Sequence, residues 1–152
     1  MSKPKIRATK SDISGKERHQ LFKSVLSRIN TALEHRFFLE AIALIESLIA
    51  DRLESRLGEL TNNPVPIDTL RNLLQKLGSA PERDNKLCEI MNTQINDWCG
   101  QRNKALHQAA KIEVDKKKEW ADFLNEAEKT AKNGLKIFRK YDTQLTKIRN
   151  LK

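Results

Sequence analysis

Residues 21–57, LFKSVLSRINTALEHRFFLEAIALIESLIADRLESRL, decide the fold, because neither glycine nor proline occurs anywhere from Lys16 to Leu57. Those are the two residues that most readily break a helix. Leu21, Phe22, Val25, Leu26, Ile29 and Leu33 recur three and four positions apart, the period of one helical face. Phe37, Phe38, Ala41, Ile42, Ile45, Leu48, Ile49 and Leu53 form a second, wider apolar stripe. Two helices with a break near His35 are predicted.

Working outward, Gly58 and the cluster TNNPVP are expected to stop the second helix. Ile67 to Leu77 reads as a short third helix, ended by Gly78, Ser79 and Pro81. Leu87, Ile90, Met91 and Ile95 mark a fourth that leads to Trp98 and Gly100, and Ala105, Leu106, Ala109 and Ala110 continue as good helix formers. Asp115 looks like a cap for a long final helix carrying Trp120, Phe123, Leu124, Ala127, Ala131, Leu135, Phe138 and Tyr141 past Gly134. No strand pattern, internal repeat or low-complexity tract competes. The expectation is therefore an all-α fold, a single helical bundle of about five helices over residues 13–152, behind a flexible basic arm at 1–12.

The 152 residues suit one domain with its own core, and 38% hydrophobic, 32% charged and 5% aromatic residues fit a helical protein better than a sandwich or barrel. No apolar run reaches the roughly 18 residues of a membrane span, and MSKPKIRATK lacks the apolar centre of a signal peptide. A cytoplasmic protein with no membrane partner is expected. The net charge of +9 is unevenly placed. Residues 1–20 carry six Lys/Arg against two acids, 21–101 nine against eleven, and 102–152 fourteen against seven. A basic tail and a basic last third around a slightly acidic centre favour a polyanion such as RNA as partner.

Few enzyme classes leave a trace. Walker, GxGxxG, GxSxG, HExxH and Asp-rich metal loops are all missing from the sequence. Cys88 and Cys99 are too far apart for a CxxC pair and have no second Cys/His cluster to complete a zinc site, so they read as buried or half-buried thiols. His19 and His35 read as surface residues, and no metal or cofactor is expected. What remains is DWCGQRNKALHQ, residues 97–108, where Arg102 and Asn103 stand five and four positions before His107. Asn103 and His107 share a face, whereas Arg102 lies about 140° round an ideal helix from His107. Their convergence needs the reach of the Arg side chain, or a helix start or kink near Gly100.

These groups suit phosphodiester cleavage in RNA. An imidazole can take the proton of a 2′-hydroxyl or give one to the leaving 5′-oxygen, and a guanidinium stabilises the extra charge of the transition state. One Arg–His pair lacks a second acid–base group, which a symmetric dimer would supply. Glu46 is the only charge between Glu40 and Asp51, and it either faces solvent or orients Arg102 or another cation. Arg52 is a further supporting candidate.

The segment RNKALH resembles the R-x4-6-H motif of HEPN domains, in which a polar residue such as Asn often follows the Arg, and LEAIALIESLIADRL, residues 39–53, is similar to the second helix of HEPN-type proteins. The resemblance covers residues 20–145 and departs at Gln108, where a Gly often follows the family's His. It implies a HEPN-like two-fold dimer and a metal-independent endoribonuclease that leaves a 2′,3′-cyclic phosphate, in a toxin–antitoxin or antiphage system with a cognate antitoxin or other partner. Arg102 and His107 would then be catalytic and Asn103 would orient them. Lys104, Lys111, Lys116, Lys117 and Lys118 would hold the RNA backbone. The same fold equally allows a catalytically inactive module that binds RNA, a nucleotide or a protein. A bundle whose charge is only a solvated face is the third reading.

Overall fold

The computed structural model of the chain describes residues 3–9, 12–78, 81–109 and 119–151. Helix α1 (Gly15–Glu34) opens on a capping box: the Glu17 amide donates to Ser14 Oγ at 3.1 Å, and the Ser14 amide donates back to Glu17 Oε2 at 3.4 Å. It ends where the sequence predicts. The chain turns through His35 and Arg36, whose φ of 63° no helix accommodates, and α2 (Phe38–Thr61) begins.

Helix α2 runs through Gly58 but stops inside the TNNPVP cluster as expected, at Asn62 in the left-handed region (φ 52°), whose amide donates to the Gly58 carbonyl at 2.9 Å. The glycine serves close approach instead. A Cβ on it would lie 3.3 Å from Val65 Cγ2, so the bare backbone lets the loop fold back onto the helix. That loop also holds the N-terminal arm, expected to be flexible. The Arg7 amide donates to the Val65 carbonyl at 2.9 Å, the Ile67 amide donates to the Lys5 carbonyl at 2.8 Å, and Arg7 Nη2 lies 3.0 Å from Asp51 Oδ1. Loop amides and carbonyls without helical partners find them in the arm.

The third helix, α3 (Leu70–Gly78), starts later than Ile67, because Thr69 Oγ1 accepts the Asn72 amide at 3.2 Å and caps it there. Asp68 just outside receives Lys76 Nζ and Asn72 Nδ2, and these hydrogen bonds hold its carboxyl down at about 2. Next comes one continuous rod: α4 (Asn85–Glu89), capped by Asp84, a π-helical segment (Ile90–Ile95), and α5 (Asn96–Gln108). The last helix, α6 (Trp120–Asn150), spans 31 residues through Gly134. Its expected cap, Asp115, falls outside the described residues. Counting the α4–π–α5 rod as one, five helices among the described residues form an all-α bundle, as the sequence predicts. Among the described residues no helix is long and apolar enough to cross a membrane.

The core lies between α2 and the partners packed against it, α6, α1 and α3, with the π segment and α5 closing the far side. Trp98, Tyr141, Phe138, Ile29, Ile42, Ile45 and Leu53 are among the fully buried side chains. Two contacts organise the packing. Trp98 lies flat against Gly134, where a Cβ would come within 2.6 Å of the indole Cε2, and its Nε1 donates to the Thr130 carbonyl at 2.9 Å. Arg56 forks onto Glu82, Nε to Oε2 at 2.7 Å and Nη2 to Oε1 at 3.0 Å, with the Glu82 side chain wholly buried.

Opposite effects are expected from adding one methyl group at two glycines. Gly134→Ala drives a Cβ into a fully buried indole, and the roughly 1–3 kcal/mol of forced repacking outweighs the roughly 1 kcal/mol gained in helix propensity. Gly100→Ala meets open space and gains about 0.5–1 kcal/mol. Urea denaturation midpoints moving in opposite directions test both. Glu82→Gln removes the buried carboxylate that Arg56 forks onto, leaving it with Glu59 at 3.4 Å, and lowers unfolding free energy by about 1–3 kcal/mol in the same assay.

Candidate functional site around Arg102 and His107

The π segment sets which way α5 faces. A π turn holds one more residue than an α turn, so everything after Ile95 is re-phased by about 100° relative to an uninterrupted helix. With that phase Trp98, Cys99 and Ala105 are buried, and Arg102 falls on the same inward stripe. Its side chain is 15% exposed. On α2, Glu46 lies in line with the buried Ile42, Ile49 and Leu53 and is itself half-buried. Each charge interrupts an apolar face, and each meets the other: Arg102 Nη1 donates to Glu46 Oε1 across 56 residues of chain. Of the two roles the sequence allowed Glu46, pairing is the one observed. Arg102 Nε is buried without a hydrogen-bond partner among the described residues.

His107 stands on the opposite side, exposed, in the last turn of α5. Helix α5 starts at Asn96 and passes Gly100 without a break, so the kink there that would swing Arg102 towards His107 is not present. The wide turn sits at Ile90–Ile95 instead, too early to change the angle between them. Arg102 and His107 therefore remain about 140° apart on one chain and about 7.5 Å apart along the axis. Half-buried Asn103 shares the His107 face, together with exposed Asn96 and Gly100. A Cβ at Gly100 would touch nothing within 4 Å. This face of α5 is bare backbone flanked by amides and an imidazole, open to close approach from outside.

The remaining candidates separate. Lys104 is exposed and, with Gln108 of α5 and Lys129 and Asn133 of α6, lines a groove of 340 Å³ in which neither Arg102 nor His107 takes part. Lys111, Lys116, Lys117 and Lys118 fall outside the described residues. Arg52 belongs to another cluster: Nε meets Asp142 at 2.6 Å, Nη1 meets Asp51 at 2.7 Å, and the guanidinium lies over Phe22 at 4.6 Å and Phe138 at 5.7 Å. It clamps α1, α2 and α6 together and shares no partner with Arg102. His19 and His35 are exposed. Cys99 is buried and Cys88 half-buried, and desolvation pushes both thiols up, with the neighbouring Arg102 working against the shift at Cys99. Among the described residues no three His, Cys, Asp or Glu side chains gather as a metal-ligand cluster. The Arg56–Glu82 fork and the Trp98–Gly134 contact had no local sequence signal, since their partners are 26 and more residues apart.

No known protein-family model, curated protein or solved structure matches the chain.

The Arg102–Glu46 pair is measurable by itself. Glu46→Ala leaves a mostly buried guanidinium uncompensated and costs about 1–3 kcal/mol. In a double-mutant cycle with Arg102→Ala the two are coupled by about 0.5–3 kcal/mol. Additive losses in chemical denaturation would mean that the charges are solvated separately.

Proposed function

We propose that the chain is a HEPN-type, metal-independent endoribonuclease working in the cytoplasm as a two-fold dimer. The observation that carries this reading is the division of labour on α5: Arg102 is anchored by Glu46, while His107, five residues on, is exposed at the end of the same helix. A cation and an exposed imidazole on one helix are the two groups that internal transesterification asks for.

In that reaction the 2′-oxygen attacks phosphorus as its proton passes to a base. The bond to the 5′-oxygen breaks as that oxygen takes a proton from an acid, leaving a 2′,3′-cyclic phosphate and a 5′-hydroxyl. Arg102 offsets the charge gathering on the non-bridging oxygens once its guanidinium swings from Glu46 on α2 towards the His107 face, and Asn103, one turn before His107, orients the imidazole. Each chain brings one motif imidazole, so acid and base come from two copies. The open stripe of Asn96, Gly100, Asn103 and His107 is a face on which two copies of α5 can meet closely. Lys104, Lys111, Lys116, Lys117 and Lys118 hold the backbone. Work in a toxin–antitoxin or antiphage system, restrained by a cognate partner, is the setting that this chemistry suits.

A second reading is an inactive module of the same type that binds RNA, a nucleotide or a protein. The observation that favours it is the tie between Arg102 and Glu46, which occupies part of the guanidinium and turns it away from His107 on the same chain.

The deciding experiment is cleavage of total RNA in EDTA by the purified protein, with product ends mapped. The expected products are 2′,3′-cyclic phosphates and 5′-hydroxyls, and folded Arg102→Ala and His107→Ala variants lose about 10²–10⁴-fold in rate. Products ending in a 3′-hydroxyl and 5′-phosphate would reject the mechanism. Absence of cleavage by the wild-type chain, with RNA still bound, would select the inactive module.

A further inference from the structure

A second groove, further along α6, carries a stronger charge than the one beside Lys104. Lys86 of α4 faces Lys132, Lys136, Arg139 and Lys140 of α6 across an open trough of 730 Å³, floored by the buried side chains of Ile90 and Leu135. Glu89 is the one acidic residue among the described residues that line it. Lys132 is shared with Glu128 at 2.8 Å, and Lys140 reaches only the neutral amide of Gln94 at 3.5 Å. The side chains of Lys86, Lys136 and Arg139 have no ion-pair partner among the described residues. Four cations thus surround an apolar floor against the single carboxylate of Glu89, an arrangement that repels itself and attracts a polyanion.

The spacing indicates which polyanion. Positions 132, 136 and 140 follow one another at about 6 Å along the helix axis, so the charge forms a row and does not converge on one point as it would around a single phosphate or a mononucleotide. Among the described residues that line the trough there is no aromatic ring to stack a base. The row also continues past the trough. Lys129 of α6 stands on the same side one turn earlier and shares the smaller groove with Lys104 of α5, three residues before His107.

We propose that this trough holds the phosphodiester backbone of a single RNA strand, independently of base sequence, and leads it along α6 to the His107 end of α5. The choice of RNA and the direction rest on the ribonuclease reading; the charge and shape of the trough do not.

The test is fluorescence anisotropy of the full chain with a labelled, non-cleavable 2′-O-methyl RNA oligonucleotide over a range of salt. Four backbone contacts predict that log Kd rises with log salt at a slope of about 3, with little change between base sequences. The Lys136→Gln/Arg139→Gln/Lys140→Gln variant weakens binding at least about tenfold and lowers the slope by about 2. All three positions are exposed, so the fold is expected to persist and circular dichroism checks it. Lys147→Gln, an exposed cation of α6 outside the trough, leaves Kd unchanged. Wild-type protein that binds the oligonucleotide with this salt dependence but leaves total RNA uncleaved in EDTA would count against the ribonuclease reading and leave the trough standing. An unchanged Kd in the triple variant, or an equal loss per charge at Lys147, would overturn the proposal. Equal affinity for poly-glutamate of matched charge would also overturn it, by replacing RNA with an acidic protein.

Discussion

The contact between the Trp98 indole and the bare backbone of Gly134 is the constraint on which the rest of this bundle depends. It brings α5 and α6 closer than any side chain at position 134 would permit, and the bond from the indole Nε1 to the Thr130 carbonyl removes the remaining freedom of the ring. Once Trp98 is seated, the rotation of α5 is fixed, and with it the direction of every side chain in the following two turns. Arg102 must then point towards α2 and His107 must point out. The π segment upstream makes this possible, because Ile90, Met91 and Ile95 are all buried before the wide turn hands over to a helix with a different phase.

Buried and half-buried charges do the remaining work of specification. Arg56 with Glu82, Arg52 with Asp142 and Arg102 with Glu46 each tie α2 to a different part of the chain. An unpaired charge in such places is costly, so alternative packings that separate these partners are disfavoured even where the apolar pattern would tolerate them. The first two pairs are structural fastenings, surrounded by aromatic or backbone contacts. Beside the Arg56–Glu82 fork, burial and the Glu82 charge push the Tyr141 hydroxyl well above the ordinary phenol range. The third pair differs because the helix that carries Arg102 ends five residues later at an exposed imidazole beside a basic surface.

The helices were largely legible because hydrophobic period and helix-breaking residues act locally. The break near His35, the helix past Gly134 and the amphipathic run over residues 21–57 all came from spacing alone. Gly58 misled for a physical reason: a glycine at a helix end and a glycine at a close contact look the same until the returning loop is seen. The start of α3 slipped because Thr69 caps it through a side-chain oxygen, and the arm over residues 1–12 read as free because its partners, the loop carbonyls and amides near Val65, lie almost sixty residues on. Of the site, Arg102, Asn103 and His107 stood out by residue type and interval, and helical arithmetic already set Arg102 and His107 on different faces. The row of Lys136, Arg139 and Lys140 had no distinguishing signal in a basic last third, since only Lys86 and the floor of Ile90 and Leu135 turn it into a groove.

The sequence by itself determined that the described chain is helical, where most helices begin and end, that positive charge gathers in the last third, and that RNKALH sets Arg102, Asn103 and His107 within two turns of one helix. These are consequences of neighbours within a turn or two. The tertiary structure alone decided which charge meets which, that Arg102 is held by Glu46 and Arg52 by Asp142, and that basic side chains from two helices face each other across one trough. The reason is that pairing depends on the rotation of each helix about its axis. That rotation is set by a π turn and by one tryptophan resting on one glycine, through contacts between residues far apart in the chain.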